Sequence, residues 1–317
     1  MRLLIQRARN FRKPNALAFA VHVAQKLGTL TIGRVFVSPY GQKLRQIMAK
    51  RSSGPNISGL KLAVVVHAYY PELLPEALAC LALLPPETSF LVTVPHERSA
   101  DVRDILANVV NARVFEVPNR GRDVAPFIDL LNRGALDGYD AVLKLHTKRS
   151  PHLRDGDIRR RLLYLMLCGE RNATARALAS FNDPTVGMVG WRACFRTAPL
   201  YWMKNKLRVA TLAERMRAAD SARLGFFEGT MFWYRPKALE PLRKLGIDTV
   251  DFEPELGQTD GALHHAIERC FTIAAWSGGY TVRDLKGRLL TGSDVSWEGA
   301  ELATPAIMKR PADRSAL

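Results

Sequence analysis

The feature that most constrains the fold is a regular alternation of short apolar runs and helical segments between residues 61 and 145. The apolar runs are typical of buried strands, and the segments between them show helical spacing, with Pro71 suited to a first turn and Ser99 to an N-cap. Strands are predicted at 61–70, 90–95, 113–117 and 141–145, and helices at 71–84, 99–110 and 124–131. This alternation predicts an α/β fold with a doubly wound, mostly parallel sheet.

The second half of the chain is less regular. Further helices are predicted at 157–168, 204–216, from Pro236 onward and at 261–269, and further strands at 186–191 and 226–234. An acidic loop at 251–260 precedes the helix at 261–269. In parallel sheets, ligands bind beyond the carboxyl ends of the strands, so side chains that follow those ends are the first candidates for a site.

The charge of the chain is concentrated at its N-terminus. The net charge is +16, and the first 60 residues contain 11 Lys/Arg and no Asp or Glu. Such a segment can contact an anionic membrane surface or nucleic acid, or remain a solvated extension. Its aromatic residues form no stacking platform, so nucleic acid is the weaker interpretation. We expect a basic helical extension at 1–58 that ends in a linker at 52–56, followed by a main domain at 59–290 and a tail at 291–317.

The sequence also indicates the cellular compartment of the protein. No apolar run approaches the roughly 20 residues of a membrane span, and the N-terminus lacks the pattern of a secretory signal. The four cysteines are scattered without CxxC spacing, which is typical of reduced thiols. These features predict a cytoplasmic protein, with peripheral contact to the inner face of the cytoplasmic membrane through residues 1–58.

A first candidate for chemistry is the turn that follows the third predicted strand. It consists of Asn119, Arg120, Gly121, Arg122 and Asp123 and leads into a helix. The N-terminus of a helix offers N–H groups and partial positive charge to a phosphate, and the two arginines add fixed cations. The alternative is that Asp123 only caps the helix and the arginines are solvated.

A second candidate is the end of the fourth predicted strand. Lys144 and His146 share one face of this strand, and Lys148 follows them. A buried lysine needs a partner because an unpaired buried charge is costly, and a diphosphate leaving group is one such partner. His67 lies at the end of the first strand. We group it with Lys144, His146 and Lys148 as a candidate to bind the diphosphate of a donor. The alternative is a strand that emerges into solvent and becomes basic.

Downstream residues are candidates for catalysis and acceptor binding. Asp260 is either a helix N-cap or a general base that deprotonates an acceptor hydroxyl. His264 lies one turn later, Glu228 lies within an apolar strand, and Trp233 could stack on a sugar. Core packing is the commoner fate of such a tryptophan. Two metal-like ligands, Asp260 and His264, without a third do not make a metal site.

Read in order, these segments resemble the rhamnan synthesis protein F family of bacterial polysaccharide biosynthesis. The matching signatures are VPNRGRDVAPF (117–127), YDAVLKLHTKRSPH (139–152), VGMVGW (186–191), FFEGTMFWYRP (226–236) and DFEPELGQTDGALHHAIER (251–269). The likeness covers about residues 60–285. It implies a glycosyltransferase domain that uses a nucleotide sugar, with dTDP-rhamnose the donor for founding members and a lipid-linked or growing glycan the acceptor.

The family layout is similar to inverting GT-A glycosyltransferases, which implies that Asp260 is the base and that residues 226–233 form the acceptor strand. Where those enzymes carry Asp-x-Asp for a metal, this chain has Lys144, His146 and Lys148. We therefore expect no metal and no cofactor, with a dTDP-, UDP- or GDP-linked sugar as substrate. The competing hypothesis is a non-catalytic glycan-binding or scaffold module.

Overall fold

The computed structural model describes most of the chain. The described residues are 16–41, 43, 59–81, 84–147, 149, 155–220 and 222–295. The basic residues 1–15, the predicted linker at 52–56, Lys148 and the tail beyond 295 lie outside this part. Ala16–Gly28 is helical, in agreement with the helical extension predicted from the sequence.

A seven-stranded sheet organises the described residues, in the strand order β10-β5-β9-β4-β1-β2-β3. All of its strands run in one direction except β9, which is antiparallel to both of its neighbours. The strands are β1 (Leu62–His67), β2 (Ser89–Pro95), β3 (Ala112–Val117), β4 (Ala141–His146), β5 (Val186–Gly190), β9 (Phe232–Tyr234) and β10 (Thr281–Asp284). The predicted α/β fold with a mostly parallel sheet is confirmed.

Helices cover both faces of the sheet. They are α1 (Ala16–Gly28), α2 (Leu74–Leu81), α3 (Ser99–Leu106), α4 (Val124–Asn132), α5 (Gly156–Tyr164), α6 (Arg171–Ser180), α7 (Lys206–Arg215), α8 (Glu240–Arg243) and α9 (Leu263–Ser277). One core cluster packs α4, α7 and α9 against one face, and a second packs α2, α3 and α6 against the other. The buried strands β1 and β4 contribute to both clusters, because successive side chains point to opposite faces.

Short segments complete the fold. Four two-residue strands form two small ladders, β6 (Phe195–Arg196) with β8 (Phe226–Phe227) and β7 (Arg223–Leu224) with β11 (Ser293–Asp294). Paired strands therefore extend beyond residue 290, where the sequence predicted the tail to begin. Brief helical turns flank the main helices. Arg34–Phe36 has α geometry, and the others, of 3-10 or π geometry, lie at Thr29–Gly33, Pro71–Leu73, His96–Arg98, Leu165–Gly169, Arg192–Cys194, Pro199–Trp202, Pro236–Leu239 and Thr249–Asp251.

The strand predicted at 226–234 is wrong as a single element. It is divided into β8 and β9, which belong to different sheets. The break lies at Gly229 and Thr230, whose φ angles are +94° and +52°. Extended backbone cannot pass through two consecutive left-handed residues, so the chain turns there. The turn brings Thr230 to the end of the sheet where β1 and β4 finish.

Two helix starts also differ from the sequence prediction. Ser99 is the first residue of α3 rather than its N-cap, and its hydroxyl donates to Glu116 at 2.6 Å. The helix α9 begins at Leu263 and continues eight residues further than predicted. Its first turn is held by Glu253, whose carboxylate accepts from the Leu263 N–H at 2.9 Å. The side chain of Asp260 is consequently available for another role.

The N-terminal helical segment rests on α5. Gly33 is buried there, and a Cβ at this position would come within 2.9 Å of Leu162 and 3.4 Å of Ile158. The absence of a side chain thus allows close contact with α5. Over the described ranges, no helix combines the length and the apolar character required to cross a bilayer.

Candidate functional site

Asp123 is the centre of a polar cluster at the carboxyl ends of β1 and β4. Its Oδ2 accepts from Lys144 Nζ at 2.6 Å and from the Thr230 hydroxyl. Its Oδ1 lies 2.9 Å from His146 Nδ1. His67 ends β1 directly beside His146 in the sheet register. Three separate stretches of sequence meet at this carboxylate, and His67 from a fourth lies beside it.

The cluster is fixed electrostatically. Burial alone would raise the pKa of Asp123, but the neighbouring His146 and Lys144 hold it well below its ordinary value. The carboxylate is therefore ionised at neutral pH. Asp123 precedes α4 and yet makes no side-chain capping hydrogen bond to that helix. The simple N-cap interpretation is thereby excluded, because the carboxylate faces the sheet rather than the helix.

The structure corrects the role predicted for Lys144. Its side chain is only 1% exposed, and its ammonium donates to Asp123 and to the Thr230 carbonyl at 3.1 Å. It also lies 5.3 Å from the centre of the Phe127 ring. A lysine enclosed in this way neutralises Asp123 and cannot contact a diphosphate directly. Lys148, the other lysine predicted to bind the donor, lies outside the described residues.

The turn at 119–123 is joined to the acidic loop at 251–260. Gly121 and Arg122 have φ angles of +60° and +54°, and a Cβ at Gly121 would overlap the Phe252 ring at 2.5 Å. Arg120 donates to the carbonyls of Val250 and Phe252, at 3.4 Å each. The two segments form one wall of the site.

Arg122 makes the second connection to this loop. Its guanidinium lies 3.3 Å from Glu255 Oε1 and donates to the Gln258 carbonyl. The arginines of the turn are therefore engaged with protein rather than simply solvated. Asn119 is exposed at the edge of the same turn.

Two buried histidines lie beside the cluster. Burial lowers the pKa of His67 to about 3, and His67 Nδ1 lies 3.0 Å from the Thr93 hydroxyl. Burial likewise lowers the pKa of His264 to about 4, with Arg122 adding to the effect. Both ring nitrogens of His264 are buried without a hydrogen-bond partner in the described structure. A neutral imidazole at this position has unused capacity to donate and to accept one hydrogen bond.

Asp260 is held by the start of α7. Its Oδ2 accepts from the Lys204 N–H at 2.8 Å, and its Oδ1 accepts from Asn205 Nδ2 at 2.6 Å. It does not cap α9, since Glu253 does so. Asp260 and Arg122 both act electrostatically on His265 of α9.

The two remaining acceptor candidates have different environments. Glu228 is partly exposed and pairs with Arg196, the shortest distance being 2.7 Å. Trp233 is fully buried in the core, and its indole N–H donates to the Leu167 carbonyl at 2.8 Å. The prediction that Trp233 binds an acceptor is therefore wrong, because its ring has no exposed face.

Several residues of the site were not singled out from the sequence. Thr230 holds Asp123 and Lys144, and Tyr164 donates to the His146 carbonyl at 2.7 Å. Asn205 orients Asp260, and Arg196 holds Glu228. A glycine followed by threonine inside an apolar strand pattern was a local signal for Thr230. The other three show no such signal, because their partners are distant in sequence.

The fold and the position of the cluster define an α/β protein with a candidate ligand site at the carboxyl ends of its parallel strands. No group of three His, Cys, Asp or Glu side chains within the described ranges is arranged to hold a metal ion. The family model described as Rhamnan synthesis protein F matches residues 39–280. The chain belongs to this family, whose proteins act in bacterial polysaccharide biosynthesis.

Comparisons with individual proteins give two sequence relatives and a solved structure of low similarity. Proteins named "Uncharacterized protein WxcX" from two strains of Xanthomonas campestris pv. campestris are 33% and 32% identical over 229 residues, or 71% of this chain. The chain spans about a third of the length of these curated relatives (33%). A crystal structure of S. aureus TarS 1-349 in complex with UDP-GlcNAc has 16% identity and a TM-score of 0.38, covering 75% of this chain and 60% of that one.

Proposed function

We propose that this chain is a glycosyltransferase domain that transfers a sugar from a nucleotide diphosphate to a lipid-linked or growing surface polysaccharide, with inversion at the anomeric carbon. The observation that carries the proposal is the Asp123 cluster, where three stretches of sequence converge at the carboxyl ends of parallel strands. Membership in a polysaccharide-biosynthesis family supports the same reaction class. Rhamnose is the first candidate for the transferred sugar.

The donor side of the proposed site is the turn at 119–123 together with His67, His146 and Lys148. In this proposal Lys144 and Asp123 are positioning residues, because their charges are paired with one another. Their pairing fixes His146 Nδ1, so that the imidazole presents one orientation to the diphosphate. Arg122 supplies a fixed cation within the turn, and Glu255 and the Gln258 carbonyl hold it in place. Asn119, at the exposed edge of this turn, is proposed to contact the nucleotide.

The proposed catalytic base is Asp260. Two hydrogen bonds, from Lys204 and Asn205, orient its carboxylate, and each oxygen retains a lone pair for an acceptor hydroxyl. The base takes the hydroxyl proton as the oxygen attacks the anomeric carbon, and the nucleotide diphosphate leaves from the opposite face. His264, with unused hydrogen-bonding capacity, and Glu228 are proposed to bind acceptor hydroxyls.

We also propose that the reaction needs no metal ion. Both oxygens of Asp123, the carboxylate nearest the end of β4, are engaged by Lys144, His146 and Thr230. Neutralisation of the leaving diphosphate then relies on fixed cations and hydrogen-bond donors. Full activity after treatment with EDTA supports this part of the proposal, whereas activity that is lost with EDTA and restored by Mn²⁺ or Mg²⁺ contradicts it.

The principal test combines binding with turnover. Isothermal titration with dTDP, UDP and GDP should show binding of at least one nucleotide, and the matching nucleotide sugars should then be turned over with a glycan acceptor. Asp260→Asn should abolish transfer and leave nucleotide affinity nearly unchanged, while Asp101→Asn, at an exposed carboxylate on α3, should leave both unchanged. A non-catalytic scaffold would bind none of the nucleotides. Retained turnover in Asp260→Asn would remove this residue from the catalytic role.

A further inference from the structure

Exposed apolar side chains are concentrated in the N-terminal helical segment. Of the eleven large hydrophobic side chains that are exposed in the described part of the chain, six fall between residues 21 and 40. They are Val21, Leu27, Ile32, Val35, Phe36 and Tyr40, with Ile32 74% and Val35 60% exposed. The other five are scattered among loops and turns over nearly two hundred residues. Exposed apolar residues gathered in one segment mark an interaction surface.

Part of this exposed surface has the spacing of one helix face. Exposed positions recur at Ala20, Ala24, Leu27, Thr31 and Val35, which are steps of three and four residues. The opposite side of the segment is directed toward the protein, because Gly33 is buried against α5. An ordinary surface helix carries polar residues on its outer face. Here the outer face is largely apolar, and we call residues 20–40 the apolar stripe.

Charge around the stripe favours one kind of partner. The first 60 residues contain no acidic side chain, and cationic residues precede and follow the stripe in sequence. Among them, Arg34 lies within the stripe and is exposed, as is Lys43 just after it. An apolar helix face with flanking cations is the arrangement that binds at the interface of a bilayer containing anionic lipids.

We infer that the apolar stripe docks on an anionic lipid surface, with Leu27, Ile32 and Val35 inserted at the level of the acyl-chain boundary and with Arg34 and Lys43 at the headgroups. This attachment is peripheral and involves hydrophobic insertion as well as charge. This membrane attachment does not depend on the proposed transferase activity. For a transferase with a lipid-linked acceptor, the attachment would bring the enzyme to the membrane that holds its acceptor.

A single helix connects the stripe with the candidate site. Gly33 contacts Leu162 and Ile158 of α5, and Tyr164 at the end of the same helix donates to the His146 carbonyl at 2.7 Å. Arg159 of α5 lies 3.9 Å from Glu228, which we propose binds the acceptor. Docking through the stripe would therefore hold α5, and the acceptor side of the site, close to the lipid surface.

Vesicle flotation of the full chain tests the inference. The probes are vesicles of phosphatidylcholine alone and of phosphatidylcholine with phosphatidylglycerol. We expect the chain to float with the anionic vesicles, and the double variant Ile32→Ser, Val35→Ser to lose at least about tenfold in partitioning, since two apolar side chains no longer enter the bilayer. The matched double variant Val110→Ser, Leu289→Ser changes equally exposed apolar residues elsewhere and should float like the unmodified chain.

Three results would overturn the inference. Equal loss in both double variants would show that the stripe is not special. Flotation that vanishes with Arg34→Gln and added salt, but persists in Ile32→Ser, Val35→Ser, would show attachment by charge alone. The third result is a dimer in sedimentation that the stripe variant converts to a monomer, together with no binding to vesicles. It would assign the stripe to contact with a second copy of the chain.

Nucleotide titration of the same samples keeps this test separate from the proposed function, because flotation without nucleotide binding contradicts only the proposed function.

Discussion

Lys144 and Asp123 form an ion pair within the protein, with Nζ 2.6 Å from Oδ2, although they lie on different elements and 21 residues apart. The pair joins the end of β4 to the start of α4. Because the lysine side chain is enclosed, its charge is balanced by protein whether or not a ligand is bound. A strand lysine that the sequence suggested as a diphosphate ligand is thus part of the framework that orients His146.

The first prediction concerns the stability of this pair. Lys144→Met should lower the free energy of unfolding by about 3–5 kcal/mol, because it leaves the buried Asp123 carboxylate without the countercharge of Lys144. Lys144→Met combined with Asp123→Asn should recover much of this loss, since no unpaired charge remains. Urea unfolding of the three proteins measures the differences, with Lys61→Met as an exposed-lysine control. Equal stability of the unmodified chain and Lys144→Met would show that the pair contributes little.

The second prediction concerns pH. The pKa is lowered to about 3 in His67 and to about 4 in His264 and His265. Between roughly pH 4 and 6.5 the unfolded chain binds protons at these histidines and the folded chain does not. Stability should therefore fall as pH decreases through this range, each histidine contributing up to about 1.4 kcal/mol per pH unit.

His67→Gln isolates one of these contributions. In urea unfolding at several pH values, this variant should show a slope smaller by up to about 1.4 kcal/mol per pH unit. Thr93→Val, which removes the hydroxyl beside His67 but keeps the imidazole, should lower stability without flattening the slope. An unchanged slope in His67→Gln would mean that this ring does not remain neutral in the folded state.

Much of the fold could be predicted from the sequence because it depends on local patterns. The four strands between residues 62 and 146 are parallel, and β1, β4 and most of β2 are buried, so the apolar runs and the helices between them are clear in the sequence. The break at Gly229 and Thr230 was missed because the apolar pattern continues through it. Only tertiary contacts, from Thr230 to Asp123 and to Lys144, show why the chain turns there.

The candidate site was predictable in its location and less so in its contacts. His67, the 119–123 turn and His146 were candidates because each follows or ends a predicted strand, and the structure brings them together. The partners of Asp260 and Glu228 were not accessible to sequence reasoning, because Asn205 and Arg196 lie 55 and 32 residues away. Trp233 was ambiguous, since a strand tryptophan can face either the core or a cleft.

The third prediction compares two glycines with nearly equal, positive φ angles. Gly121 and Gly246 have φ angles of +60° and +61°, but a Cβ at Gly121 meets Phe252 at 2.5 Å, whereas one at Gly246 meets nothing within 4 Å. Gly246→Ala should cost about 1–2 kcal/mol, from the left-handed backbone alone. Gly121→Ala should cost more and should also weaken nucleotide binding, because the turn must separate from the loop at 251–260.

Chemical denaturation and nucleotide titration of the two glycine variants check this comparison. Equal losses of stability would indicate that the contact between Gly121 and Phe252 can relax. Normal nucleotide affinity in a destabilised Gly121→Ala would remove the turn from the proposed donor site.

The fourth prediction concerns the orientation of Asp260. Asn205 is fully buried and donates to Asp260 Oδ1 at 2.6 Å, while the Lys204 N–H holds the other oxygen. Asn205→Ala removes one of these two constraints and leaves the carboxylate itself in place. If Asp260 is the base, kcat should fall by one to two orders of magnitude, about 1.4–2.7 kcal/mol, because the carboxylate is less well aligned with the acceptor hydroxyl. The KM for the nucleotide sugar should change little, since the donor contacts lie on the 119–123 turn.

Thermal unfolding and nucleotide titration of Asn205→Ala show whether the fold and the donor site remain intact. A parallel rise in KM for the donor with unchanged kcat would instead place Asp260 and Asn205 on the donor side, and the assignment of the base would have to move to another carboxylate.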